Sequence, residues 1–262
     1  MDLPPELLDE VINHISPTDK RSLLNCSLVA KSWVYPSQKR IFKAVDIWRN
    51  PHLKSWLGAI SPTNVRVLQH VRSIRCQIAK PLNLSHPPVD LLCDYSPSFR
   101  QLERLTLHSG LLPSLNQIGT YSAFQHTLSY LCLWHCSATS SRIVILVNYF
   151  PNLAHLELGD LSHMVDGQPA PPFSRLLRKL TIAEFCTKDS LDLLDQLMGL
   201  HPQCDEVSID MFWDSCPSLA QHVIDGVEAS VKRLNLESRL EGVFSILECP
   251  VVMIFECNAG IL

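Results

Sequence analysis

The chain has 262 residues, 46% of them hydrophobic and 18% charged, with a formal charge of -4. That apolar fraction excludes a disordered chain, and the acidic balance argues against nucleic acid as a partner, because neutralising phosphates takes a surplus of Lys and Arg. The longest apolar runs, 143–147 and 251–255, fall far short of the roughly 18 residues of a membrane span, so no membrane partner is expected. The N-terminus, Met1-Asp2-Leu3-Pro4-Pro5-Glu6, lacks the basic and apolar regions of a secretory signal. Ten Cys are scattered singly with no CxxC pair, which suits a reducing compartment, cytoplasmic and/or nuclear, with most thiols acting as small buried hydrophobes. The 41 Leu against only 9 Gly point to a repeated packing unit.

In chain order, Leu3, Leu7, Leu8, Val11, Ile12 and Ile15 form one apolar stripe at helical spacing. Pro4 and Pro5 suit the first turn of that helix, and Ser16-Pro17 ends it. Thr18 or Asp19 can cap a second helix carrying Leu23, Leu24 and Leu28, and a third helical stretch lies around Trp33, Ile41 and Phe42. Three short helices cannot bury so much apolar surface alone, so the stripe must face another domain or another chain.

The order Leu3-Pro4-Pro5-Glu6-Leu7-Leu8, Val11-Ile12, Ile15, Asp19, Leu23-Leu24 and Ser27-Leu28-Val29-Ala30-Lys31-Ser32-Trp33 resembles the F-box, the helical segment that docks on the Skp adaptor of SCF-type ubiquitin ligases. Ala30 departs from the Ser or other small residue that the family usually has there. The resemblance implies adaptor contacts from Leu3, Pro4, Leu7, Leu8, Val11, Ile12 and Ile15, joined by Leu24, Val29 and Trp33. An internal packing role for Trp33 stands equally open, and a plain helical cap on the following domain is the bland alternative for the whole segment.

From residue 70 onward a phrase of the form apolar-x-x-apolar-x-apolar recurs seven times. Its middle anchors are Ile74, Leu105, Leu131, Leu156, Leu180, Val207 and Leu234, and the steps are 31, 26, 25, 24, 27 and 27 residues. This resembles the leucine-rich repeat. Residues 44–47 read as a degenerate first strand and 251–255 as an incomplete last one. Helical returns are legible at 140–150, 190–200 and 218–229, and a loop at 159–174. The expected fold is therefore α/β: a three-helix F-box over 1–45, a connecting segment over 46–70, and over 71–262 an irregular leucine-rich-repeat solenoid with a curved parallel sheet on its concave side and helices or loops on its convex side. The array stops just after an apolar strand rather than a polar cap, so a short product, a dimerising end and a truncation all remain possible.

Strand alternation names the outward residues. Arg75, Arg104, Tyr130, Trp134, His155, Lys179, Glu206 and Asp210 are the candidate partner-binding set, with Tyr130 and Trp134 as aromatic anchors and a gradient from basic early strands to acidic late ones. An ordinary solvated face, or one covered by a helix or tail, is the competing reading. Cys132-x-x-His135-Cys136 looks metal-like, but its directions diverge and no second cluster exists, so neither a metal nor another cofactor is expected. No nucleophile elbow, P-loop, dinucleotide fingerprint, HExxH or RING-type spacing occurs, so the chain is not expected to be an enzyme. Together the halves resemble an F-box/leucine-rich-repeat substrate receptor. Its partners would be a Skp-family adaptor, a cullin through that adaptor, and an unknown target protein; the alternative is a scaffold acting outside any ligase.

Overall fold

The computed structural model describes residues 4–17, 19–47, 67–77, 99–112, 118–164, 169–183, 185, 187–212, 223, 231–239 and 251–256. Helix α1 (Pro5–His14) has Pro5 at its first position, where the missing N–H costs nothing. Asp19 caps α2 (Lys20–Val29) by accepting the Ser22 N–H at 3.0 Å. Helix α3 spans Lys31–Ile41. Ile12, Leu23 and Ile41 form a small core between them, against which Ile15, Cys26, Trp33 and Phe42 pack.

Strand β1 (Ala44–Ile47) follows α3 after two residues and pairs in parallel with β2 (Ser73–Gln77). Beyond it come β3 (Arg104–Leu111), β4 (Tyr130–Ala138), β5 (His155–Gly159), β6 (Ser162–His163), β7 (Leu176–Ala183), β8 (Gln203–Phe212), β9 (Arg233–Arg239) and β10 (Val251–Glu256). Their order in the sheet is β1-β2-β3-β4-β5-β7-β8-β9-β10, with β6 paired to β4. The seven middle anchors stand directly opposite one another in this sheet, from Ile74 through Leu105, Leu131, Leu156, Leu180 and Val207 to Leu234. All seven are buried.

One backbone device recurs with the repeat. A carbonyl just before each of β1 to β5 accepts two successive N–H groups at or near the start of the next long strand. Lys43 receives Arg72 and Ser73, Arg72 receives Glu103 and Arg104, and Glu103 receives Ser129 and Tyr130. Ser129 receives Ala154 and His155, and Ala154 receives Arg178 and Lys179. Strands β1 to β5 thus start at the level of one another, which keeps their anchors in line. Such a sheet, with its returns on one side, is compatible with the repeat expected from the sequence.

The anchors face α4 (Ser140–Tyr149) and α5 (Lys188–Met198), whose Ile143, Val144, Val147, Leu193, Leu194 and Leu197 join the same core. A 3-10 turn at Gly119–Phe124 supplies Tyr121 and Phe124, the latter stacked on Phe150 at 6.1 Å. Helix α5 begins two residues before the expected return because Thr187 and Ser190 cap it reciprocally. The return expected at 218–229 lies outside the described residues apart from the buried Val223.

The last strand departs from expectation, since β10 runs antiparallel to β9. Between Arg239 and Val251 lie eleven residues, whereas a parallel crossover takes roughly a dozen or more. That span is short for another return and ample for a reversal.

Candidate protein-binding surfaces

Helix α1 carries more apolar residues than its core can take, and the structure divides them. Leu8 and Ile12 turn inward and are buried, while Leu7 and Val11 stay exposed. On α2, Leu23 is buried and Leu24, Leu28 and Val29 are exposed. Two residues expected to touch an adaptor, Leu8 and Ile12, are therefore interior: both are buried, and Ile12 is part of the three-helix core. Ile15 and Trp33 are half-buried against that core, and Pro4 is exposed. Leu3 lies outside the described residues. Leu28 was not among the expected contacts, yet it is the most exposed large apolar residue described. Its i, i+4 spacing from Leu24 is the signal that could have found it.

The second surface is the sheet face turned away from α4 and α5. Ser73, Arg104, Tyr130, His155, Lys179, Glu206 and Arg233 form one in-register row across it. The row beside it holds Arg75, Thr106, Cys132, Glu157, Thr181, Ser208 and Asn235. Much of its polarity is spent internally. The Arg104 guanidinium lies 3.8 Å from the centre of the Tyr130 ring, whose hydroxyl donates to Glu157. Burial and that carboxylate push the Tyr130 hydroxyl pKa up. His155 meets the Tyr130 ring edge-on at 6.4 Å. Burial, then Lys179 and Arg104, push its imidazole pKa down.

Lys179 donates to Glu206 at 2.6 Å, Asn235 donates to the same oxygen at 3.0 Å, and Arg233 pairs with the other oxygen at 3.4 Å. The Lys179 bond, followed by both cations, holds Glu206 below the usual carboxylate range. The expected acidic end of this face is thus corrected at Glu206, which sits between two cations. The side chains of Asp210 and Glu237 lie outside the described residues. At the opposite end Arg75 reaches Asp46 at 4.0 Å.

Trp134 belongs to this face but lies down on it. A methyl group placed on Gly159 of β5 would come within 2.5 Å of the indole, so glycine there lets the ring rest on the neighbouring strand. The Trp134 Nε1–H donates to His135 Nε2 at 3.0 Å, and His135 Nδ1 pairs with Asp160 at 2.8 Å. With Nε2 accepting, the proton facing Asp160 is on Nδ1. Ser109, His135 and Asp160 all have positive φ, 56°, 53° and 42°. They sit at equivalent points of β3, β4 and the end of β5, so the left-handed kink repeats across three strands.

Cys132 points to the open face, as strand alternation requires, but is buried there among Tyr130, Thr106 and Glu157. Burial pushes the Cys76, Cys132, Cys136 and Cys204 thiols up to about 12, which removes them as nucleophiles near neutral pH. Among the described residues no group of three or more His, Cys, Asp or Glu is placed to hold a metal ion.

No curated protein matches this chain. F-box domains in general dock on a Skp-family adaptor of SCF ubiquitin ligases, and proteins that carry them are generally non-catalytic adaptors. The family model of the F-box domain matches residues 1–34, the stretch that builds α1, α2 and the start of α3, and supports an F-box protein.

Proposed function

We propose that this chain is the substrate-recognition subunit of an SCF-type ubiquitin ligase. The F-box module of residues 1–45 docks on the Skp-family adaptor and through it a cullin, and the leucine-rich array of 71–262 holds the target protein. The observation that carries the reading is the exposed apolar set Leu7, Val11, Leu24, Leu28 and Val29, which lies within the matched F-box segment. A helical surface of this kind suits a hydrophobic groove, with a few aliphatic anchors supplying most of the affinity. The chain does no chemistry in this reading. It raises the effective concentration of a target beside the transfer machinery, in the cytoplasm or nucleus.

On the target side, the open face offers half-buried Tyr130 and Trp134 among paired charges, with Arg75, Arg104, His155 and Lys179 beside them. Recombinant chain should retain a purified Skp-family adaptor on affinity resin, and Leu7→Asp with Leu28→Asp should abolish retention while far-UV circular dichroism stays unchanged. Failure of the unmodified chain to bind any Skp-family adaptor sinks the ligase reading and leaves a scaffold outside a ligase.

A further inference from the structure

A cleft of about 520 Å³ lies where the helical module meets the first strands. Two of its lining residues, Ile12 and Pro36, are apolar and buried. Its walls carry cations from three separate segments: Lys39 and Arg40 at the end of α3, Lys43 in the link, and Arg72 ahead of β2. Among the described residues, the carboxylates lining it are Asp9 and Glu103. Glu103 is already opposite Arg72 at 3.2 Å. Arg40 is held by neutral oxygens, the Ile15 carbonyl at 3.0 Å and Asn13 Oδ1 at 3.3 Å, so its charge is not cancelled. Lys39 and Lys43 make no ion pair among the described residues. Among the described residues, four cations against two carboxylates leave an excess of two positive charges in one concavity, on a chain whose formal charge is -4.

We propose that this cleft binds a phosphomonoester. The excess charge matches a dianion, and two ammonium groups with no ion pair among the described residues, each with three donors, suit a tetrahedral oxygen cluster. The volume falls in the range of small-ligand sites, so it admits the phosphoryl group with the carbon skeleton that carries it. The positive field is felt by His70, which meets Tyr35 edge-on at 5.1 Å on the cleft wall. Burial, then Lys39 and Arg72, hold its imidazole below its ordinary value. Asp9 is the lining group that opposes an anion without a described partner. The cleft is separate from the proposed adaptor face, because Asp9 and Asn13 lie on the side of α1 away from Leu7 and Val11. The inference therefore stands whether or not an adaptor docks.

The test follows the His70 ring by NMR in the full chain, at constant ionic strength, during additions of inorganic phosphate, of a phosphoserine pentapeptide, and of the same peptide with Glu in place of phosphoserine. A saturable rise of the His70 titration with phosphate and phosphopeptide alike supports the site and assigns it a free phosphoryl ligand. A rise with the phosphopeptide alone supports it and assigns a phosphorylated protein segment. Lys39→Gln with Lys43→Gln should weaken the response about tenfold or more, and Asp9→Asn should strengthen it. Adaptor retention should be unaffected by either change. No rise, an equal rise with the Glu peptide, or a response indifferent to both lysines and to Asp9 overturns the proposal.

Discussion

Leu28 offers the sharpest separation of docking from folding. Its side chain is 83% exposed, against 53% for Leu24, 48% for Leu7 and 1% for Ile12. Leu→Ala deletes three carbons, about 2.4 kcal/mol if they pass from water to a fully apolar site at about 0.8 kcal/mol each. Scaled by exposure, Leu28→Ala should cost docking about 2 kcal/mol, close to thirtyfold in Kd, and Leu24→Ala and Leu7→Ala each about 1.2 kcal/mol, roughly eightfold. These are ceilings, reached when docking buries each side chain completely. Leu28→Ala should shift the urea midpoint hardly at all, since little of that side chain is buried on folding, whereas Leu24→Ala and Leu7→Ala should each lower it modestly, because about half of theirs is. Ile12→Ala behaves in the opposite way: its ring of neighbours is already closed, so the module should lose about 2–5 kcal/mol of stability. The assay is titration calorimetry against a Skp-family adaptor, paired with urea unfolding of each variant. The reasoning is refuted if Leu28→Ala shifts unfolding as far as Ile12→Ala does, or if Leu7→Ala, Leu24→Ala and Leu28→Ala combined leave Kd within twofold of the unmodified chain.

Gly159→Ala should lift the Trp134 indole off β5 and cost about 1–3 kcal/mol, seen as altered tryptophan emission with a lower unfolding midpoint; an unchanged spectrum and midpoint would contradict the packing. His155 and Glu206 both have folded pKa values below their ordinary 6.5 and 4.5, so each contributes stability that is complete above that value and is lost as pH falls through the folded one. His155→Gln should flatten the fall that begins just below neutrality, and Glu206→Gln the fall at lower pH, in urea midpoints measured across the acid range. An unfolding curve of the same pH slope in both variants speaks against the assignment. Site-resolved alkylation of the native chain should label half-buried Cys26 well before Cys76, Cys132, Cys136 and Cys204, and comparable rates at all five would mean that the sheet opens readily.

The strand register was legible in the sequence because one signal, apolar residues at fixed offsets, serves both alternation and stacking. Ile74 to Leu234 are buried in one row for that reason. The face opposite them could be named residue by residue, since alternation leaves no choice, but not its internal pairings. Whether Glu206 meets a target or Lys179 and Arg233 depends on the neighbours supplied by strands 27 residues away on either side. Helix α1 was harder. Its stripe is wide enough to serve two surfaces, and periodicity does not say which apolar residues the module keeps for its own core. Leu8 and Ile12 fell to the core and Leu7 and Val11 to the outside once α3 packed beside them. The direction of β10 depended on a connection length that reading it as one more repeat did not weigh. The cleft had no signature, because Asp9, Lys39, Lys43 and Arg72 converge only through the fold.

The link between α3 and β1 consists of Phe42 and Lys43. Phe42 packs on the helical core, while the Lys43 carbonyl is clasped by the N–H groups of Arg72 and Ser73. A joint tied down on both sides is a bracket rather than a tether. In a ligase, whatever the sheet holds would inherit its bearing from the docked helices, and only acceptor lysines within a limited arc could reach the transfer centre. Residues inserted between Ile41 and Ala44 would turn that fixed bearing into a sweep.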